Sequence, residues 1–227
     1  MTDHPILFSA PMVRAILEGR KTMTRRVMKI QPPNDGKEYQ AMRILDGDKR
    51  NIGKIRWIKE QRIVAGVPPF SCPFGVIGDR LWVKETWKPV PETAYRLSPG
   101  AEYVINPSDP HEAAIYKCGW ELSPGSGHWK PSIFMPRWAS RITLQITNIR
   151  AERVQDISHD DAIAEGVCEY CSECRNGTPD QPCEGCGAYN KAREAFIKVW
   201  DSINGKKPDR CWDANPWVWV VEFERVS

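Results

Sequence analysis

The feature that most limits what this chain can become is a run of five cysteines within nineteen residues, CEYCSECRNGTPDQPCEGCG, beginning at Cys168 and closing with Cys186 and a glycine. The segment is polar and rich in turn residues, so its thiols have no apolar core to enter. Two C-x-x-C turns suffice to bring four thiolates around one zinc ion at about 2.3 Å, with backbone N–H groups pointing at the sulfurs. Cys171 with Cys174 and Cys183 with Cys186 give that pattern with eight residues between the pairs, and the zinc-binding insertion is read as 168–187. The register that uses Cys168 with Cys171 stays open beside it. Four sulfurs leave no position for water, so the expected metal is structural. An iron–sulfur cluster uses the same number of cysteines, and free thiols or disulfides are the metal-free readings.

The cysteines are expected to be reduced. No apolar run approaches the eighteen residues of a membrane span, and the opening MTDHPILFSAPMV carries an acid before a very short apolar stretch, unlike a secretory signal. A cytoplasmic protein that keeps off membranes is the expectation, with thiols available to metal. Charge is uneven. Between Arg14 and Arg62 there are 14 Lys and Arg against 6 Asp and Glu, an excess of eight in a chain whose net charge is +3. Such a basic first quarter suits a polyanion, or is simply a solvated basic surface. Ten tryptophans fit an aromatic core, with two or three of them free to stack on bases.

Along the chain, Pro5 to Ala10 reads as a strand, Pro11 as the start of a helix, and Gly19 as its stop. KTMTRRVMKI is a strand. Residues 32–70 are turn-rich, with a short strand around Ile55 to Ile58, and read as an excursion from the main fold. Gly78 to Trp87 is a turn feeding a strand, and weak strands follow at Tyr103 to Ile105 and Ala114 to Lys117. Ser140 to Glu152 alternates apolar and polar residues over a full strand length. Ser158 is an N-cap, with Asp160 and Asp161 in the first helical turn where the dipole favours acids. Tyr189 to Ile203 is an amphipathic helix burying Ala192, Ala195, Phe196, Val199 and Trp200, stopped by Asn204-Gly205. Pro216 to Val226 is the last strand. Strands dispersed among three helices imply an α+β domain spanning 1–227.

The densest group of reactive side chains is Arg20-Lys21-Thr22-Met23-Thr24-Arg25-Arg26. On a straight strand Lys21 and Thr24 face opposite ways. They converge only if Lys21 belongs to the turn after Gly19. A lysine made less basic by neighbouring cations then takes the Thr24 proton, with a carboxylate needed for the leaving group. An exposed basic strand is the plain alternative. Lys84 and Glu85 are adjacent on a strand, so one of them points inward, as a buried ion pair.

The N-terminal strand, the helix ending in GRKT-x-T-x-R, the G-D-x-L-W-V strand and the terminal V-x-V-x-E-F-E strand together resemble the ASCH domain of the PUA-like superfamily. The chain is most similar to larger ASCH-domain proteins of tailed phages and prophages. The likeness lies in ILFSAPMVRAILEGRKTMTRR, PSIFMPRWASRITLQITNIRAERVQDIS, DAIAEGV and NPWVWVVEF. It implies a PUA-like mixed β-barrel with flanking helices, and binding of RNA, DNA or a modified nucleoside. One branch of the family removes the acetyl group of N4-acetylcytidine with a lysine, a threonine and a glutamate. Carried over, these fall on Lys21, Thr24 and Glu165. Thr24 would be the nucleophile, Lys21 its base, and Glu165 the relay to the departing nitrogen. Arg25 or Arg26 would stabilise the oxyanion or hold a phosphate. Arg137 would contact phosphate, and Asn215 and Trp217 would contribute an amide and an aromatic face to a base pocket. Three readings follow: a binding module, an amidohydrolase acting on N-acylated nucleosides, and an assembly or interaction protein of a phage particle.

Overall fold

The computed structural model describes residues 1–33, 38–45, 51, 53–95, 102–122, 128–167 and 188–226, the side chains of 188–191 excepted. In chain order the first elements are β1 (Asp3–Leu7), α1 (Ala10–Leu17), β2 (Met23–Val27), β3 (Gln40–Arg43), β4 (Ile55–Lys59), β5 (Arg62–Ile63) and β6 (Arg80–Lys84). The rest are β7 (Trp87–Pro91), β8 (Tyr103–Asn106), β9 (Asp109–Tyr116), β10 (Thr143–Arg153), α2 (His159–Ala164), α3 (Ala188–Asn204) and β11 (Trp217–Arg225). The architecture is mixed α+β, mostly strands with a few helices. Among the described residues no sheet closes on itself, so the expected barrel is absent as a closed ring. No helix among them is long and apolar enough to cross a membrane.

The residues group into two compact units. The first comprises Met1–Thr22, Ile77–Thr147 and Phe223–Ser227, the second Met23–Val76 and Asn148–Glu222.

In the first unit β1 runs parallel to β6, with Ile6 opposite Val83, and β10 pairs antiparallel to β6, with Leu144 opposite Leu81. Ile6, Leu81, Val83 and Leu144 are buried, while Arg80 on the alternate face of β6 is exposed. This is the period-two pattern of a sheet with one covered face. β1 ends at Leu7, sooner than the sequence suggests, because Ser9 is already the extended N-cap of α1 and Pro11 lies in its first turn. A proline is tolerated there because its missing N–H has no intrahelical partner.

A second sheet of this unit has the order β7-β9-β8. Its central strand is buried on both faces. Ala114 and Tyr116 join Trp87, Met135 and Ala139 on one side, and Ala113 and Ile115 join Val90 on the other. β9 starts five residues before the expected strand because its polar first half, Asp109 to Glu112, carries no apolar alternation.

In the second unit β11 pairs antiparallel with β2, Val221 opposite Thr24. Val218 and Val220 of β11 pack with Phe196 and Trp200 of α3 and Ala162 of α2. Trp217 and Trp219, on the other face, meet the 32–70 excursion. Trp57 of β4 lies 4.9 Å from Trp217 and 5.6 Å from Phe70, and Phe70 lies 6.0 Å from Trp219, between ring centroids. The excursion is therefore a three-stranded meander, β3-β4-β5, whose central Trp57 is buried. Glu60 and Gln61 close its second hairpin with φ of 48° and 64°, the left-handed region of a primed turn. α3 buries Ala192, Phe196 and Trp200 as its spacing requires, but Val199 is 37% exposed. It stops at Gly205, where a Cβ would lie 2.6 Å from the Asp201 carbonyl oxygen.

Candidate functional site

In the first unit the chain curls just past α1. Gly19 has φ of 75° and its N–H donates to Ile16, while the N–H groups of Arg20 and Lys21 both donate to the Ala15 carbonyl at 2.9 and 3.0 Å. A left-handed residue is needed for that turn, and glycine supplies it without Cβ strain. Lys21 thus belongs to the turn, and β2 begins at Met23, as the sequence reading required. The Lys21 side chain is buried and its Nζ sits 5.5 Å from the Phe8 ring centroid.

In the second unit β2 alternates. Met23, Arg25 and Val27 share one face, and Thr24 and Arg26 share the other. The Arg25 side chain has no exposure. It donates to Asp161 at 2.5 Å and Glu152 at 3.2 Å, and its Nη1 lies 3.6 Å from Glu165. Arg150 of β10 reaches the same carboxylates from its own strand: Asp161 at 2.8 Å, Glu152, and Glu222 of β11. Two guanidinium groups therefore hold four carboxylates across β2, β10, β11 and the end of α2. Glu165 sits at the C-cap of α2, its N–H donating to Asp161, and Gly166 (φ 82°) turns the chain away. The Ser158 hydroxyl accepts the Asp161 N–H at 3.1 Å and sets the helix start.

Arg25, expected to hold an anion, is buried here with its guanidinium paired to carboxylates. Arg26 points the other way. Burial pulls its guanidinium below the ordinary value, and the Glu165 charge opposes that. Thr24 is buried opposite Val221.

The remaining expected residues fall elsewhere. Arg137, in the first unit, is exposed and pairs with Asp3 at 2.9 Å. Asn215 has φ of 46°, and its side-chain oxygen accepts the Gln155 N–H while its carbonyl accepts from Arg153. Its side-chain oxygen thereby fixes the chain after β10. Trp217 is only 8% exposed, and besides Trp57 it carries the Arg153 guanidinium 5.1 Å from its ring. It is packed in the core of the second unit. Cys171, Cys174, Cys183 and Cys186, with Cys168, lie outside the described residues. Among the described residues no group of three or more His, Cys, Asp or Glu could hold a metal; the carboxylates around Arg25 are held by arginines instead.

Sequence reasoning passed over Glu152, Asp161, Arg150 and Glu222. The signal was available for two of them: Arg150 and Glu152 are two apart on a strand and share a face. Glu85 is the inward member of its pair with Lys84, and Arg141 grips it with two bonds of 2.9 Å. Burial pushes the Glu85 carboxyl up, and the Arg141 fork opposes it.

No family model matches the chain, and no solved structure matches it. It is similar over 61 residues, at 34% identity, to the recombination protein RecR of two strains of Clostridium perfringens. That stretch is 27% of this chain and 31% of the RecR chain, so the chain spans about a third of the curated relatives it matches.

Arg25→Ala is expected to lower unfolding free energy by about 3 kcal/mol, the low end for a broken buried pair, because Glu152 and Asp161 keep some contact with water. Arg137→Ala, at an exposed pair, should cost under about 1 kcal/mol. Urea unfolding of both variants checks this, and equal losses would contradict the structural role given to Arg25.

Proposed function

We propose that this chain is a nucleic-acid- or modified-nucleoside-binding protein of the ASCH, PUA-like kind, similar to those of phages and prophages. The observation that carries the reading is the excess of eight positive charges between Arg14 and Arg62, with Arg14, Lys29 and Arg62 exposed. A polyanion is the partner such a charge excess suits. The partial likeness to a recombination protein agrees, since recombination acts on DNA. A panel of RNA and DNA strands at low salt tests it. Binding should weaken steeply as salt rises, and more so in the combined Arg14→Gln, Lys29→Gln, Arg62→Gln variant. A chain that binds no member of the panel overturns the reading.

A second reading is favoured by one observation: Lys21, Thr24 and Glu165 are each buried, at 2%, 2% and 6% exposure, which is unusual for such side chains. In it the chain deacylates an N4-acetylcytidine-like nucleoside. The family likeness gives Thr24 the role of nucleophile toward the acetyl carbonyl carbon and Lys21 that of the base. Glu165 delivers a proton to the leaving N4, and water then hydrolyses the acetyl–threonine ester. Wild-type protein should release cytidine from N4-acetylcytidine, and Thr24→Ala should lower the rate by at least about a hundredfold. No release by wild type, or equal release by the variant, ends this reading.

The cysteine segment supports a structural zinc on Cys171, Cys174, Cys183 and Cys186 in a reducing, cytoplasmic setting. What favours it is the donor set, four thiolates in two C-x-x-C pairs. Metal analysis of purified protein should find one zinc per chain, lost in Cys183→Ser and kept in Cys168→Ser. Iron in its place, or zinc retained by Cys183→Ser, contradicts it.

A further inference from the structure

The outward face of β6 in the first unit carries Arg80, Trp82 and Lys84, alternating with the buried Leu81 and Val83. Two cations lie against the Trp82 ring. Lys84 Nζ is 5.4 Å from its centroid and the Arg137 guanidinium carbon 5.9 Å. Arg137 is steadied from behind by Asp3, and Lys84 donates to the Ile133 carbonyl at 2.5 Å. The next residue along, Phe134, is 70% exposed, and Ile133 is 60% exposed. Three cations, one acid, an indole and a free phenyl ring therefore share one surface.

We infer that this surface, Arg80, Trp82, Lys84, Phe134 and Arg137, is where a single-stranded nucleic acid lies, with phosphates on the cations and a base on Phe134. The inference rests on the nucleic-acid-binding reading above and goes beyond it, by adding a contact surface outside residues 14–62 and by stating the strandedness. Charge complementarity selects the occupant: the patch carries a net charge of +2, from Arg80, Lys84 and Arg137 against Asp3. Cation–π contact with Trp82 fixes Lys84 and Arg137 in place before a phosphate arrives, so little side-chain freedom remains to be lost. An exposed aromatic ring beside fixed cations is the pairing that a splayed base and its backbone need, whatever the sequence. In a duplex the bases are stacked on each other and leave nothing for Phe134 to meet. A lipid surface is disfavoured because two exposed apolar residues on a short turn make a small wedge compared with an amphipathic helix.

Fluorescence anisotropy with a labelled pyrimidine strand of roughly twelve nucleotides tests this. Phe134→Ala is expected to weaken binding about tenfold with little change in salt dependence. Lys84→Gln and Arg137→Gln should each reduce the slope of log affinity against log salt by about 0.7. Lys198→Gln, a charge change on the exposed face of α3, serves as control and should bind as wild type. Far-ultraviolet circular dichroism and urea midpoints confirm that the variants, all at surface positions, remain folded. If the wild type binds the strand and Phe134→Ala, Lys84→Gln and Arg137→Gln bind equally well, this surface is refuted while the nucleic-acid reading stands. If the wild type binds no strand at low salt, the nucleic-acid reading fails first and this inference with it. Preference for duplex, for anionic vesicles or for an acidic peptide over the single strand also overturns it.

Discussion

A single buried guanidinium organises the second unit. Arg25 leaves β2 on the face that also carries Met23 and Val27, and it ends among carboxylates from β10 and α2. An unpaired guanidinium at that depth is unfavourable, and so is a cluster of four carboxylates without cations. Each side makes the other tolerable only in one arrangement, so the strand and the helix are oriented by mutual necessity as well as by the apolar contacts of Phe196, Trp200 and Val220. The position of Glu165 at the end of α2 follows from this. Its carboxylate is where it is because Arg25, Asp161 and Gly166 fix the last turn of the helix.

β11 shows how one strand can serve two different layers. Its valines meet α2 and α3, and its tryptophans meet the meander that Trp57 anchors. A strand buried on both faces reads as a continuous apolar run, and WVWVV is such a run. The alternation of size within it, branched aliphatic against indole, assigns a helix-filled side and an aromatic side. Trp217 and Trp219 are two of the chain's ten tryptophans, and both pack against the meander's aromatic rings.

What the sequence discloses and what it conceals follow a physical line. Local devices were legible: Pro11 in the first turn, Gly19 beyond the helix, Ser158 capping α2, and the alternation that becomes β10. Each is decided by residues a few positions apart. The inward turn of Glu85 was legible too, since adjacent strand residues face apart, but its partner Arg141 lies 56 positions away and leaves no local trace. The same distance problem hid the acids around Arg25. Arg25-Arg26 reads as one cationic pair, yet strand geometry sends the two to opposite faces with opposite surroundings. β9 was shortened because its polar first half is held by backbone pairing to β7 and β8, not by burial.

The two helices that flank the cysteine segment share one apolar cluster: Ala162 of α2 touches the same core as Ala192 and Phe196 of α3. Docking them holds together two elements far apart along the chain, one ending at Ala164 and the other starting at Ala188. A change that loosens the Phe196 and Trp200 side of that core therefore also loosens α2, so the seating of Glu165 depends on apolar contacts made by a helix other than its own.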